Sequence, residues 1–349
     1  MSNKTYNVAV VGASGAVGQT IVRVLEKRNF PINTLKLLSS SRSAGRVVEF
    51  AGKEIVLEEA TPDSFANIDI ALFSAGGAIS KKLAPEAVKR GAVVIDNTSA
   101  YRMDEDVPLI VPEVNEIDIK KHKGIIANPN CSTIQMVAAL KPIQEAFGLN
   151  RIIVSTYQAV SGAGSLASDE LRTESMDYLT GKPIEPKILP VSGDKKHYQI
   201  AFNALPQIDL FQENGYTFEE LKMINETKKI MHAPNLKVAA TCVRIPVFTS
   251  HAESVYVEID KAGVTVADFQ EVIKNGNGIT LQDQPKTQTY PSPLAAADKD
   301  EVFVGRIRKD LDCDNGFHLW IVADNLLKGA ALNTVQIAES VIRNNWLTL

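Results

Sequence analysis

The apolar run Val8-Ala9-Val10-Val11 passes without a break into Gly12-Ala13-Ser14-Gly15-Ala16-Val17-Gly18, and this junction restricts the fold more than any other stretch of the chain. An uninterrupted β-prone run with no polar alternation reads as a strand covered on both faces. The glycines mark a tight turn, after which Val17, Ile21, Val24 and Leu25 recur on one face of a helix. Strand, glycine turn and helix open a parallel βαβ sheet, where a pyrophosphate can sit on the helix N-terminus and glycines let the backbone approach it. The spacing is GxxGxxG, weak alone, but it stands at the first turn of an alternating β/α chain, so a dinucleotide is the expected ligand.

The second expected strand, Thr34 to Leu38, bears on which dinucleotide. An NAD site calls for an acidic residue at its end; here the chain reads Ser39-Ser40-Ser41-Arg42-Ser43-Ala44-Gly45. Hydroxyls and an arginine suit a 2′-phosphate, which favours NADP. Val47–Phe50 and Lys53–Leu57 read as an added hairpin. The alternation then resumes with strands at Ile70–Phe73, Val93–Asp96 and Ile125–Ala127 and a helix over Ile79–Arg90. The Val93 strand delivers Arg102 at its carboxyl end, where open α/β sheets bind ligands.

The Ile125 strand ends in Asn128-Pro129-Asn130, which is turn chemistry, and an apolar-periodic segment from Ile134 to Phe147 follows. Cys131 is therefore expected at a helix N-terminus, where unpaired N–H groups and the helix dipole favour the nucleophilic thiolate. Beyond it the style changes. Strands at Arg151–Ala159, Lys237–Val243, Glu253–Ile259, Val302–Arg308 and His318–Ala323 have few helices between them, which implies an α+β unit with a mostly antiparallel sheet. One face of such a sheet needs a cover, and a second copy of the chain is the expected one, making a homodimer. A last helix, about Leu326 to Asn344, is expected to return to the first domain. The expected division is residues 1–130 with 326–349 for the nucleotide and 131–325 for catalysis and dimerisation.

Composition narrows the class of partner. With 37 basic against 41 acidic residues the net charge is −4, and no single-sign block recommends nucleic acid. The opening residues carry no secretory or membrane-spanning pattern. Three cysteines, at 131, 242 and 313, include no CxxC pair, so neither a disulfide framework nor a metal site is implied, and a reducing cytoplasm is the expected compartment.

Four motifs in order, Gly12–Gly18, Asn128-Pro129-Asn130-Cys131-Ser132-Thr133, Tyr157-Gln158-Ala159-Val160-Ser161-Gly162 and Arg244-Ile245-Pro246-Val247 leading to His251, resemble the aspartate-semialdehyde dehydrogenase family of Gram-positive type nearly end to end. The resemblance implies a Rossmann-type domain and NADPH-dependent reductive dephosphorylation of L-aspartyl 4-phosphate through a cysteine thioester, on the route to lysine, threonine and methionine. It implies Cys131 as nucleophile and His251 as acid/base. His251 is one of five histidines, and from the residues alone His197 is an equal candidate. It further implies Arg244 for the substrate carboxylate, Glu219 for its ammonium with Glu220 an adjacent competitor, Arg102 and Lys222 for phosphate, and Gln158 for the acyl group. For the cofactor it implies Ser14, Gly15, Ala16, Val17, Arg42, Ser43, Ser161, Gly162 and Asn325.

The rival readings are another acyl-phosphate reductase, of the N-acetyl-glutamyl-phosphate reductase or phosphorylating glyceraldehyde-3-phosphate dehydrogenase kind, and a nucleotide-sensing protein without chemistry. The Asn-Pro-Asn-Cys-Ser-Thr context and a partner for a free ammonium separate the first from an unblocked amino-acid substrate; one fast thiol among three would separate the second.

Overall fold

The computed structural model describes residues 4–347; the opening residues 1–3 and the last two, which the expected domain ranges include, lie outside it. The chain divides into two compact units, residues 1–129 with 330–349 and residues 130–329.

The first unit is a parallel sheet. Its strands are β1 (Tyr6–Val11), β2 (Ile32–Ser39), β5 (Glu58–Glu59), β6 (Ile70–Phe73), β7 (Val93–Asp96) and β8 (Ile125–Ala127), in the order β5-β2-β1-β6-β7-β8. The hairpin β3 (Val47–Phe50) and β4 (Lys53–Val56) stands as a separate two-stranded sheet. Helices α1 (Ala16–Lys27), α2 (Gly77–Lys89), the short α3 (Pro112–Asn115) and the C-terminal α9 (Leu332–Arg343) complete the unit. β1, β6 and β7 are buried at nearly every position, as two-sided cover requires. Order reverses between β1 and β6, so the carboxyl ends of these strands form a topological switch point.

The second unit holds β9 (Arg151–Gln158), β10 (Lys237–Arg244), β11 (His251–Glu258), β12 (Ile279–Leu281), β13 (Val302–Lys309) and β14 (Gly316–Ala323), in the order β10-β9-β11-β14-β13-β12. The three central pairings are antiparallel and the two outer ones parallel, so the sheet is mixed. Helices α4 (Cys131–Phe147), α5 (Ser165–Leu179), α6 (Phe218–Ile230), α7 (Val266–Lys274) and the short α8 (Pro293–Ala296) belong to it. Along β9 the residues Ile152, Val154, Thr156 and Gln158 are buried, while Ile153, Ser155 and Tyr157 face a more open side. α4 and α6 pack on the buried side. α4 is apolar around most of its circumference, as a central helix must be. A long irregular stretch between α5 and α6 is pinned by α5: Glu170 accepts the N–H groups of Lys187, Ile188 and Leu189, and Glu174 those of Ile200 and Ala201.

The final helix differs from expectation at its start. Leu327–Ala331 forms a π-helical turn before α9 begins at Leu332. The wider turn lets Gly329 lie against the backbone of Cys131; a Cβ there would come within 2.8 Å of Cys131 Cβ.

Candidate active site

In the first unit the chain leaves β1 at Gly12, whose φ of +88° only glycine takes freely and where a Cβ would press on the Ser74 carbonyl carbon at 2.8 Å. At Gly18 a Cβ would fall 2.1 Å from the Gly12 oxygen. These glycines bring α1 tight against the strand ends. The helix is capped by Gly15 with no side-chain hydrogen bond and no acidic residue in its first turn. A bare, dipole-positive N-terminus at the switch point fits a pyrophosphate, so the residues present suit a nicotinamide dinucleotide. Ser14 hydrogen-bonds Ser39 through their hydroxyls at 2.7 Å, joining the glycine turn to the end of β2. Arg42 is exposed in the following turn, which Ser43 closes by donating its N–H to the Ser40 carbonyl.

Arg102 also belongs to the first unit and is nearly buried. Its Nε donates to the Asn128 carbonyl at 2.9 Å and one terminal nitrogen to the Asn97 carbonyl at 3.1 Å. Asn333, from α9, holds Asn128 in turn, donating to its Oδ1 at 2.7 Å.

The second unit carries Cys131 as the first residue of α4, half-buried. Asn130 caps the helix: its Oδ1 accepts the N–H groups of Ser132 and Thr133 at 2.9 and 3.3 Å. The same side chain donates to Glu219 at 2.7 Å, and the Asn130 backbone N–H donates to Glu226 at 2.7 Å. Asn130 was legible only as turn chemistry; in the structure it joins the start of the Cys131 helix to the Glu219 carboxylate.

Three strand ends converge beside it. Gln158 and Arg244 are register partners at the ends of parallel β9 and β10, and His251 opens β11, whose Ala252 faces Tyr157. Asn325 follows β14, two residues past Ala323, the partner of His251. Gln158 accepts from Thr156 at 2.9 Å and donates to Glu219 at 3.2 Å, which fixes its amide. Arg244 donates to the Ala159 carbonyl at 2.7 Å, and its buried Nε has no partner among the described residues. Gly162 gives Arg244 room, since a Cβ there would stand 2.9 Å from a guanidinium nitrogen and 3.4 Å from the His251 ring. Ser161 and Asn325 bond one another through their side chains, and Asn325 Oδ1 also accepts the Ser250 N–H at 2.8 Å.

Burial alone would raise the Glu219 carboxyl, but Lys222, then Asn130, Arg244 and Gln158, bring it from 4.5 down to about 2. It is ionised at neutral pH. Lys222 bridges Glu219 at 3.2 Å and Asp209 at 2.9 Å, so it is held between two carboxylates, one buried, rather than lying in a solvated pair. Glu220 is spent elsewhere: it accepts the Thr217 N–H in a capping box and the Cys242 N–H at 3.1 Å. The spacing Thr217-Phe218-Glu219-Glu220 carries that signal, because a Thr followed three residues later by Glu marks a helix start.

His251 is fully buried, not a surface histidine. Its Nδ1 accepts the Ala159 N–H at 3.0 Å, so the neutral ring carries its proton on Nε2, 3.5 Å from the Gln158 amide nitrogen. Burial, and then Arg244, lower its pKa from 6.5 to about 3. Of the two halves of the expected acid/base role, this geometry offers the donor; neither nitrogen of the neutral ring is left to accept the thiol's proton. His197 takes no part in this cluster. The buried cysteine, Cys242, is pushed well up by burial and lies 3.8 Å from the Met223 sulfur, which makes it inert packing. No group of side chains suited to a metal ion occurs among the described residues, and no described helix is long and apolar enough to cross a membrane.

A parallel nucleotide sheet joined to a mixed-sheet unit with a cysteine leading its central helix defines a semialdehyde dehydrogenase. The NAD-binding domain pattern of that class matches residues 7–122 and its dimerisation domain pattern residues 140–328. The aspartate-semialdehyde dehydrogenase of Bacillus subtilis is 66% identical over 97% of this chain and 98% of its own, and that of Aquifex aeolicus 55% identical over 97% and 98%. Among solved structures, aspartate semialdehyde dehydrogenase II of Vibrio cholerae, complexed with ASA, superposes with a TM-score of 0.92 at 47% identity, covering 97% of this chain and 99% of that one. The Candida albicans enzyme with NADP gives 0.76 at 26% identity, covering 98% and 99%. The chain belongs to the aspartate-semialdehyde dehydrogenase family and is an oxidoreductase of amino-acid biosynthesis that uses a nicotinamide dinucleotide.

Proposed function

We propose that the chain reduces L-aspartyl 4-phosphate with NADPH to L-aspartate 4-semialdehyde and inorganic phosphate, through a thioester on Cys131. The observation that carries this reading is the half-buried thiol at a capped helix N-terminus beside a buried Glu219 carboxylate and a buried Arg244, two opposite charges suited to the ammonium and carboxylate of an unblocked amino acid. Cys131 attacks the acyl carbon as thiolate and phosphate departs with the C–O electron pair. NADPH, held by the glycine turn at the start of α1, would supply the hydride that reduces the thioester carbon. The His251 Nε2–H and the Gln158 amide, two nitrogen donors at one place, stabilise the oxyanion each addition creates. Collapse of the hemithioacetal then returns the thiolate and frees the aldehyde.

Arg244 takes the substrate carboxylate with its unpartnered Nε, and Glu219 takes the ammonium. Arg102 and Lys222 are assigned to phosphate, and Ser161, Gly162 and Asn325 to the nicotinamide end of the cofactor. Ser14, Gly15, Ala16 and Val17 line its phosphates, while Arg42 and Ser43 meet the 2′-phosphate that sets NADP above NAD. Residues 1–130 with 326–349 form the nucleotide domain and 131–325 the catalytic and dimerisation domain. The open side of the second sheet, with Ile153, Tyr157 and Trp320, supports a homodimer, and the setting is cytoplasmic. The test runs the reaction backwards, with L-aspartate semialdehyde, phosphate and NADP. Reduced nicotinamide should appear with the free amino acid and not with its N-acetyl derivative or a glutamyl homologue; preference for the acetylated compound would transfer the chain to the N-acetyl-glutamyl-phosphate reductases.

A further inference from the structure

Glu253 lies two residues past His251 on the same buried face of β11 and is wholly inaccessible. Neither of its carboxyl oxygens has a hydrogen-bond partner among the described residues. Burial raises its pKa well above the usual carboxylate range, and only the neighbouring Gln135 amide opposes this. A carboxylate so placed would be an unpaired buried charge, which a fold avoids by keeping the proton.

Gln135 sits one turn beyond Cys131 on α4 and is also fully buried. Its Nε2 donates to the His251 carbonyl at 3.3 Å, which leaves its Oε1 without a partner among the described residues. The second N–H of the Gln135 amide bonds neither Glu253 oxygen, so three acceptor oxygens there still want a donor. One proton on Glu253 supplies it, since a carboxylic acid donates through its O–H and an amide oxygen accepts.

We propose that Glu253 works as an uncharged carboxylic acid that donates to Gln135 Oε1, making the two a positioning pair that ties the helix led by Cys131 to the strand led by His251. The bond keeps the Gln135 amide turned with Nε2 toward the His251 carbonyl, which fixes the spacing of thiol and imidazole. A negative charge at 253 would oppose both the thiolate and the oxyanion. The catalytic half of this inference rests on the proposed chemistry of Cys131 and His251; the protonation of Glu253 does not.

The experiment compares wild type, Glu253→Gln and Glu253→Ala. Infrared difference spectra of wild type against E253Q in heavy water at neutral pH should show the carbonyl stretch of a protonated, buried carboxylic acid. In semialdehyde oxidation E253Q should keep kcat within about threefold, since its amide N–H replaces the acid's O–H. E253A should lose kcat by about tenfold or more through misplacement of the reacting groups, with KM for the semialdehyde changed far less. Absence of the acid band, or an E253Q defect as large as that of E253A, overturns the proposal. A chain without any semialdehyde turnover would sink the proposed reaction, yet the infrared band would still decide the state of Glu253.

Discussion

Helices α1 and α4 both begin directly after a strand-to-helix turn, and they treat their N-termini in opposite ways. α1 starts behind Gly15 with no capping side chain, whereas α4 starts behind Asn130, whose Oδ1 takes the N–H groups of Ser132 and Thr133. A bare helix end leaves its donors for an anion that arrives from outside. A capped end settles its donors internally and reserves the dipole for a charge that the helix itself carries, which is the place of the proposed Cys131 thiolate. On the proposed function, the difference separates a site that binds an anion from a site that makes one.

The comparison breaks most sharply at the thiol. Cys131→Ala should lower turnover by ~10⁴-fold or more with nucleotide binding intact, checked by steady-state kinetics and by quenching of bound NADPH. At the bare end, Gly18→Ala drives a Cβ against the Gly12 oxygen, so nucleotide affinity should fall by about a hundredfold, with ~2 kcal/mol of stability lost, read by titration and urea unfolding.

Acid should weaken what the buried histidine contributes to stability. An unfolded imidazole binds its proton near 6.5 while the folded His251 ring declines it until about 3, so the ring's contribution to stability falls as pH drops across that window. Glu219 acts in the same direction but lower, its stabilisation being lost as pH falls from 4.5 through about 2. Urea midpoints of a His251→Asn variant should therefore rise relative to wild type as pH drops from 6.5 to 4.5, the opposing contribution of protonated Glu253 being common to both proteins.

Asn130→Ala turns the capped end into a bare one. It should cost about 1 kcal/mol of stability, raise the pH at which Cys131 reacts with a thiol reagent, and lower kcat by roughly tenfold. Smallest of all, Arg42→Ala should leave NADH kinetics alone and weaken NADPH by about tenfold, and an equal loss with both cofactors would remove Arg42 from the 2′-phosphate.

Local pattern carried the architecture because β1, β6, β7 and β8 are short, mainly apolar runs between turn residues, and because Asn-Pro-Asn before an apolar-periodic segment places Cys131 at a helix start without tertiary knowledge. The electrostatics were harder to read. Nothing near residue 251 distinguishes that histidine from His197; the distinction arises when β9 and β11 pair and Ala159 donates to the ring. Glu219 and Glu220 looked alike until the capping box absorbed one of them, a pattern present in the sequence but unused. The role of Lys222 depends on Asp209, which reaches it from an irregular stretch that no periodicity describes.

Arg244 and Gln158 stand side by side because β9 and β10 run parallel in one register, with neighbouring residues on each strand turned to opposite faces. One residue inserted anywhere in β10 would rotate the guanidinium away from the Gln158 and Glu219 cluster and onto the open surface. The length of that strand is thus itself a determinant of recognition: homologues should tolerate substitutions along it far better than insertions or deletions.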